Sequence, residues 1–175
     1  NIGAIVVNVN PLFKSREIKS LLIDSNAETI VILDRFLNEL EPILNDTKIK
    51  NIIVCRSYDL LNYPMSLIVK TLLFFKSKST KISSHYILFR DTIIHEEKFH
   101  QVLISKNDVA LLQYTGGTTG KSKAAVLTHH NLVSNIAQLQ LWVDNLLLEG
   151  KEVIITALPM YHIFSLTVNL LFFYK

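Results

Sequence analysis

The residues best suited to chemistry form one loop, which runs from Tyr114 to Lys123 and reads Tyr-Thr-Gly-Gly-Thr-Thr-Gly-Lys-Ser-Lys. Its three glycines leave the backbone free to turn several N–H groups toward one anion. Its three threonines and two lysines add hydroxyl donors and positive charge. The loop therefore predicts a site that holds phosphate groups.

The nucleoside-triphosphate loop Gly-x-x-x-x-Gly-Lys-Ser/Thr matches this stretch only in part. Gly120-Lys121-Ser122 supplies the last three positions, but Thr115 stands where the first glycine belongs, and Gly116 is one residue too close. The residues after the loop are small and then apolar, which favours a strand over the first turn of a helix. We expect a hairpin with strands from Val109 to Tyr114 and from Ala124 to Thr128. Both features disfavour a small kinase with a distorted triphosphate loop.

Hydrophobic periodicity places the hairpin in an α/β protein of layered βα units with a mostly parallel sheet. Further strands are predicted at residues 4–9, 29–33, 51–55 and 152–156. Helices are predicted from Ser15, which can cap the first, around residues 36–44, at 131–145 and after Pro159. In the first helix Ile18, Leu21 and Leu22 share one face, and in the second Pro42 is expected to introduce a kink.

The loop closely resembles a motif of the adenylate-forming superfamily, and within it of the long-chain fatty-acid-CoA ligases (long-chain acyl-CoA synthetases). Their motif reads Tyr-Thr-(Ser/Gly)-Gly-Thr-Thr-Gly-x-x-Lys-Gly. Residues 114–120 and Lys123 match it position by position, and Ala124 stands where the motif has glycine. Residues 5–12, 127–132 and 157–164 are similar to three further stretches of these ligases, in the same order. Four ordered matches across nearly the whole chain are far more specific than one glycine-rich loop.

The resemblance implies an incomplete N-terminal, AMP-binding domain over residues 1–175, without the C-terminal lid domain. It implies that ATP and Mg²⁺ activate a long-chain fatty acid as an acyl-adenylate, which coenzyme A converts to a thioester. The residues that grip ribose and Mg²⁺ would lie outside these 175 residues, so we expect the chain alone to be inactive. The alternative is a non-catalytic remnant that binds phosphate weakly.

The resemblance also assigns site residues. The nucleotide-binding set is Tyr114, Thr115, Gly116, Gly117, Thr118, Thr119, Gly120, Lys121, Ser122, Lys123, Ala124 and Ala125. The catalytic residues would be Lys123, facing the β- and γ-phosphates, and His162, at the acyl-carboxylate end. Thr115 would contact the metal, and Lys121 occupies a variable position and is expected to face solvent. Tyr114 either anchors the base of the loop or packs as a strand-end aromatic.

The segment from Leu60 to Arg90 contains five basic residues and no acidic one. Within it Met65, Ile68, Val69, Leu72 and Phe75 recur at helical spacing. Such a helix can lie on an anionic membrane surface, or it can pack in the core with its lysines in solvent. The second arrangement is the more common one, and the net charge of +3 does not favour either.

Several other residues limit the possible functions and location of the protein. His95 and His100 are five residues apart, so they point in different directions on a helix and do not predict a zinc site. His129 and His130 are expected to act as turn or cap residues. The single Cys55 is expected to be a small structural residue in a reducing compartment.

The longest uncharged apolar run, residues 163–174, is too short to cross a bilayer. We therefore expect a cytoplasmic protein, peripheral to the membrane at most, with no nucleic-acid partner.

Overall fold

The computed structural model describes residues 2–76, 85–94, 100–115, 123–143, 146–148 and 150–174 of the 175-residue chain. The elements in chain order are β1 Val6–Asn8, α1 Ser15–Ser25, β2 Thr29–Leu33, α2 Leu37–Leu40, β3 Asn51–Cys55, α3 Met65–Lys76, β4 Ile87–Leu88, α4 Phe89–Ile94, β5 Val109–Thr115, β6 Lys123–Thr128 and α5 His129–Val143. Two 3₁₀ turns, Asp34–Phe36 and Glu41–Asp46, flank α2, and a π-helix covers Ser165–Phe172.

The chain divides into two units, Pro11–Lys98 and Asn1–Asn10 with Phe99–Lys175. Each unit contains a three-stranded sheet, with the order β2-β3-β4 in the first and β1-β5-β6 in the second. Among the described strands, β5 and β6 pair antiparallel and the other pairs are parallel. The α/β class with a mostly parallel sheet is therefore confirmed, although the strands are shared between two sheets.

The unit Pro11–Lys98 is built around β2 and β3, whose observed bounds equal the predicted ones. Ile and Val occupy the middle of both strands, and β3 buries Ile52 and Val54, whereas Val31 of β2 is 60% exposed. Helix α1 buries the predicted face, with Ile18, Leu21 and Leu22 only 2–5% exposed. Each such side chain contributes about 1.5–3 kcal/mol when it leaves water. The spacing of these residues thus positions the helix.

The second predicted helix is broken into three short pieces. The α-helical part spans only Leu37–Leu40, and a 3₁₀ turn with Pro42 near its start continues to Asp46. Proline lacks the N–H that would continue the α-helical bonding, so the backbone tightens at this point. Leu37 and Leu40 are fully buried, which keeps the broken segment in the core.

The other unit contains the predicted hairpin. β5 and β6 pair antiparallel, and β1 pairs parallel to β5 on its other edge. β1 is shorter than predicted at both ends. The β5–β6 register shifts between Val109 and Leu111, so Ala110 is an extra residue in β5, as in a β-bulge. The hairpin prediction is confirmed, and the loop it carries, residues 116–122, lies outside the described residues.

The predicted strand at 152–156 is wrong. Residues 152–156 form no strand, and Val153 and Ile155 are 93% and 87% exposed. A strand requires hydrogen-bonding neighbours, and none pairs with these residues in the part of the chain that the structure describes. The helix predicted after Pro159 is confirmed, and its turns are of the wide π type over Ser165–Phe172.

Helix α5 begins at His129, two residues before the predicted start. Thr128 and Asn131 bond reciprocally, because the Thr128 N–H donates to Asn131 Oδ1 (2.9 Å) and the Asn131 N–H donates to Thr128 Oγ1 (3.2 Å). This pattern is a capping box with asparagine in place of the usual glutamate. It fixes the helix start directly at the end of β6.

Helix α3 does not pack as a core helix within the described residues. Met65, Ile68 and Leu72, on the predicted apolar face, are 54%, 48% and 57% exposed. The core-packed interpretation of this segment is therefore not borne out for these side chains. Among the helices described, none combines the length and the apolar character needed to cross a bilayer.

Candidate functional site

The ends of β5 and β6 bring two predicted site residues side by side. Thr115 lies opposite Lys123, and the Thr115 hydroxyl donates to the Lys123 carbonyl oxygen at 3.5 Å. Directly opposite residues of an antiparallel pair place their side chains on the same face. The Thr115 hydroxyl and the Lys123 ammonium therefore flank the base of the loop on one face of the sheet.

Lys123 is exposed at the first position of β6. The ion pairs in the described ranges join Lys14, Lys19 and Lys50 to carboxylates, and Lys123 is in none of them. Within the described ranges, no internal ion pair therefore has to break before its ammonium meets an anion. The predicted residues between the two strand ends, Gly116, Gly117, Thr118, Thr119, Gly120, Lys121 and Ser122, lie outside the described ranges.

Tyr114 and the two alanines form the next rows of the hairpin. Tyr114 pairs with Ala124 and Gln113 pairs with Ala125. Tyr114 is half-buried, and its carbonyl oxygen accepts from the Gln113 side-chain amide at 3.4 Å. Ala124 extends the strand in ordinary pairing, so the alanine that replaces the motif glycine is accommodated there.

His162 ends a tight turn that begins at Pro159. Its N–H donates to the Pro159 carbonyl at 3.0 Å, and its carbonyl accepts from the Leu166 N–H at 2.9 Å. The imidazole Nδ1 accepts from the Phe164 N–H at 3.3 Å. With Nδ1 acting as the acceptor, the proton of the neutral ring resides on Nε2, which can donate to a ligand.

His162 is exposed. The strand predicted at residues 152–156 does not form, so the turn from Pro159 sets the position of His162. Its role at the acyl-carboxylate end remains a prediction.

Ser165 and Asn169 hold the turn from the helical side. The Ser165 side chain is fully buried, and its hydroxyl donates to the Leu158 carbonyl at 2.8 Å. Asn169 Nδ2 donates in turn to Ser165 Oγ at 3.2 Å. Sequence reasoning missed both residues. The available signal was the presence of polar residues, with Ser165 and Asn169 at i and i+4, in a mostly apolar helix.

Gln113 connects the turn to the sheet. Its Nε2 donates to the Tyr161 carbonyl at 3.3 Å, and its Oε1 accepts from Asn8 Nδ2 at 3.4 Å. Gln113 shares its strand face with Thr115, two residues on. The turn that carries His162 therefore contacts the same sheet face as Thr115 and Lys123. Sequence reasoning missed Gln113, although it is a lone amide in an apolar strand.

His129 and His130 lie in the first turn of α5, and their backbone N–H groups donate to the carbonyls of Asp108 and Lys106. Their role as turn or cap residues, rather than catalytic ones, stays a prediction. His100 is exposed, and residues 95–99 lie outside the described ranges. Within those ranges no group of three His, Cys, Asp or Glu residues could hold a metal.

Cys55 lies half-buried in β3. Burial raises the pKa of its thiol, and the nearby charges of Asp59 and Asp34 act in the same direction. A thiol with a raised pKa is a poor nucleophile near neutral pH. The environment thus agrees with the structural role expected for this residue.

Comparison with known proteins adds to this geometry. The family model described as "AMP-binding enzyme" matches residues 1–175. The chain belongs to this family. It is 40% identical over 177 residues to a long-chain-fatty-acid–CoA ligase of Salmonella typhimurium, a match that covers 98% of the chain and 31% of that relative. The resemblance predicted from the four motifs is confirmed.

Solved structures agree with this AMP-binding assignment. A long-chain-fatty-acid-CoA ligase from Archaeoglobus fulgidus is 29% identical with a TM-score of 0.58, covering 89% of the chain and 26% of that protein. ATP-bound MatB from Rhodopseudomonas palustris is 24% identical with a TM-score of 0.62, covering 97% of the chain and 28% of that protein, and shows the fold alone. The chain thus spans about a third or less of the proteins it matches.

Proposed function

We propose that the protein containing this chain is a long-chain fatty-acid-CoA ligase. The fatty-acid carboxylate attacks the α-phosphorus of ATP, pyrophosphate leaves, and the thiolate of coenzyme A then displaces AMP from the acyl-adenylate. The observation that carries this proposal is the pairing of Thr115 with Lys123 on the sheet face that the His162 turn contacts. The identity to the Salmonella typhimurium ligase supports the choice of substrate.

Carboxylate and triphosphate repel each other, so the site must neutralise charge and hold the leaving pyrophosphate in line. Lys123 and the Thr115 hydroxyl stand at the two ends of the seven-residue loop, where they can contact the β- and γ-phosphates. The amides and hydroxyls of residues 116–122 complete the proposed phosphate site. Tyr114 is proposed to anchor its base.

Mg²⁺ is proposed as a partner of the triphosphate. Mg²⁺ prefers oxygen ligands and binds largely through phosphates and water, so it needs few protein ligands. The exposed Thr115 hydroxyl is an oxygen of the kind that fits. Thr115 would thus hold the ion while Lys123 neutralises phosphate charge on the same face.

His162 is proposed to bind the fatty-acid carboxylate. The Phe164 N–H occupies Nδ1 and leaves the Nε2 proton as the donor. A neutral donor can orient the carboxylate without forming a full ion pair that attack would have to break. The turn geometry supports this role because it fixes the ring through its own backbone.

Membrane contact is a finer part of the proposal. The exposed apolar residues of α3, among them Ile68 and Leu72, accompany Lys70 on the same helix. An apolar face bordered by lysines suits the surface of an anionic bilayer, from which a fatty acid would be taken. This contact would be peripheral and on the cytoplasmic side.

The deciding experiment measures palmitate-dependent ATP–pyrophosphate exchange by the full-length protein. We expect exchange that requires palmitate, ATP and Mg²⁺, and thioester formation once coenzyme A is added. The 175-residue chain alone should give the background of a protein-free control. Exchange with benzoate but not palmitate would overturn the fatty-acid assignment. No exchange with any acid, combined with weak pyrophosphate binding, would support the remnant instead.

A further inference from the structure

Gln113 carries a buried amide and is 9% exposed. It follows Leu111 and Leu112 in the mostly apolar strand β5, two residues before the strand ends at Thr115. Its side chain bonds to Asn8 on β1 and to the Tyr161 carbonyl in the His162 turn, and its Nε2 also lies 3.4 Å from the neighbouring Tyr114 carbonyl. Burying an amide is unfavourable unless its groups find partners. Two of its partners, Asn8 and Tyr161, belong to segments that are distant from Gln113 in sequence.

The two ends of the His162 turn are held by different groups. The Ser165 hydroxyl binds the Leu158 carbonyl at its start, and the Gln113 amide binds the Tyr161 carbonyl directly before His162. Ser165 belongs to the helix that follows, so it fixes only the internal shape of the turn. The Gln113 bond to the Tyr161 carbonyl ties the turn to β5.

We propose that Gln113 is a positioning residue that sets His162 relative to the Thr115–Lys123 pair. This inference rests on the proposed ligase function. The amide reaches the turn from a strand that ends two residues later at Thr115. Acyl-adenylate formation requires the carboxylate and the α-phosphate to meet in line, and displacement of either group by about 1 Å can cost up to about 10²-fold in rate.

The test replaces Gln113 in the full-length protein. Gln113→Met preserves the length of the side chain but removes the donor to Tyr161. We expect kcat for palmitate-dependent pyrophosphate exchange to fall about 10-fold or more, with KM for ATP within about 2-fold, since the phosphate site is untouched. Leu111→Val, on the same face two residues earlier, is the control for loss of packing. It should leave kcat within about 2-fold.

Hydrogen exchange provides a readout independent of activity. In the ligand-free full-length protein, peptides covering residues 158–166 should exchange about 10-fold faster in Gln113→Met and at the original rate in Leu111→Val, because the His162 N–H bond to Pro159 depends on the turn. Asn8→Ala keeps the donor to Tyr161 and should behave as the control. If Gln113→Met does not fold, Gln113→Asn retains an amide that is too short to reach the turn and replaces it.

The outcomes separate the two proposals. Unchanged exchange at 158–166 and unchanged kcat in Gln113→Met would overturn the positioning role while the ligase function stands. Equal losses in Gln113→Met and Asn8→Ala would also overturn it, since the amide would then serve the pairing of β1 with β5. A wild-type protein without pyrophosphate exchange would refute the ligase function, and the hydrogen-exchange comparison would still decide whether Gln113 holds the turn.

Discussion

Ser15 donates two hydrogen bonds to one oxygen of Glu39: its backbone N–H lies 2.9 Å and its hydroxyl 2.8 Å from Glu39 Oε2. The Lys14 ammonium binds the other oxygen, Oε1, at 2.9 Å. A carboxylate from α2 thus covers the start of α1, where exposed N–H groups favour negative charge. The predicted cap by Ser15 itself is therefore wrong, because its hydroxyl serves Glu39 instead.

Glu39→Gln is predicted to destabilise the protein in a pH-dependent way. Hydrogen bonds from Lys14 and Ser15 lower the pKa of Glu39 from 4.5 to about 2. Because the folded-state pKa is depressed, the stabilisation is fully present above about pH 4.5 and is lost as the pH falls toward 2. Thermal unfolding followed by circular dichroism should show a gap between wild type and variant at pH 7 that closes across this interval.

Glu28→Gln is the matched control for that experiment. Glu28 also binds one lysine, Lys50 at 2.8 Å, but both side chains are more than half exposed. Exposed ion pairs contribute little. The melting temperature should change slightly and without the same pH dependence. A gap that stays constant from pH 7 to pH 2 in Glu39→Gln would contradict the assigned cause.

Thr128→Ala is predicted to loosen the start of α5. The substitution removes the hydroxyl that accepts the Asn131 N–H, at a cost of about 0.5–2 kcal/mol. Amides in the first turn of α5 should exchange faster, while those of β5 keep their protection. Ser134→Ala, which removes only the 3.4 Å contact to His130, is the control. Equal effects of the two substitutions would show that the capping box is unimportant.

The two lysines of the glycine-rich loop should differ in their effect on adenylation. In the full-length protein Lys123→Ala is expected to slow pyrophosphate exchange by about 10²-fold or more, the effect of losing one preorganised charged donor. Lys121→Ala should cost far less. Both are measured at saturating palmitate, so that acyl-chain binding does not mask the result. A large loss for Lys121 alone would revive the triphosphate-loop alternative.

Membrane contact can be tested by charge reversal on the basic segment. Replacing Lys70, Lys76 and Lys78 by Glu should weaken sedimentation with anionic vesicles and leave turnover of soluble substrate nearly unchanged, because anionic lipid attracts basic residues. The control reverses Lys48, Lys106 and Lys151, which are exposed and lie outside the Leu60–Arg90 segment. Vesicle binding that persists, or that falls equally in the control, would exclude a specific membrane face.

Local sequence patterns correctly predicted the elements that are marked by their own residues and flanks. Strands 29–33 and 51–55 were correct at both ends because apolar β-branched runs are bounded there by polar residues. The hairpin followed from its two apolar flanks. The strand at 152–156 has the same local signal, but pairing depends on partners distant in sequence. Composition alone cannot reveal whether such partners are present.

The candidate site was predictable in part. The motif located Thr115 and Lys123, and the register places them opposite each other. Gln113 and Ser165 could not be found in this way, because their partners are backbone carbonyls of the turn at 158–161. A carbonyl is present at every residue, so sequence carries no mark of which one a side chain will meet.

The extra residue at Ala110 has a consequence for how this protein can change in length. Side chains alternate between the two faces of a strand, so after the extra residue Ala110 the side chains of Leu111, Gln113 and Thr115 share one face of β5. Inserting or deleting one residue in β5 before Gln113 would turn Gln113 and Thr115 to the opposite face, away from the His162 turn. A change of two residues would preserve their orientation. Tolerated length variation in this strand should therefore come in even steps.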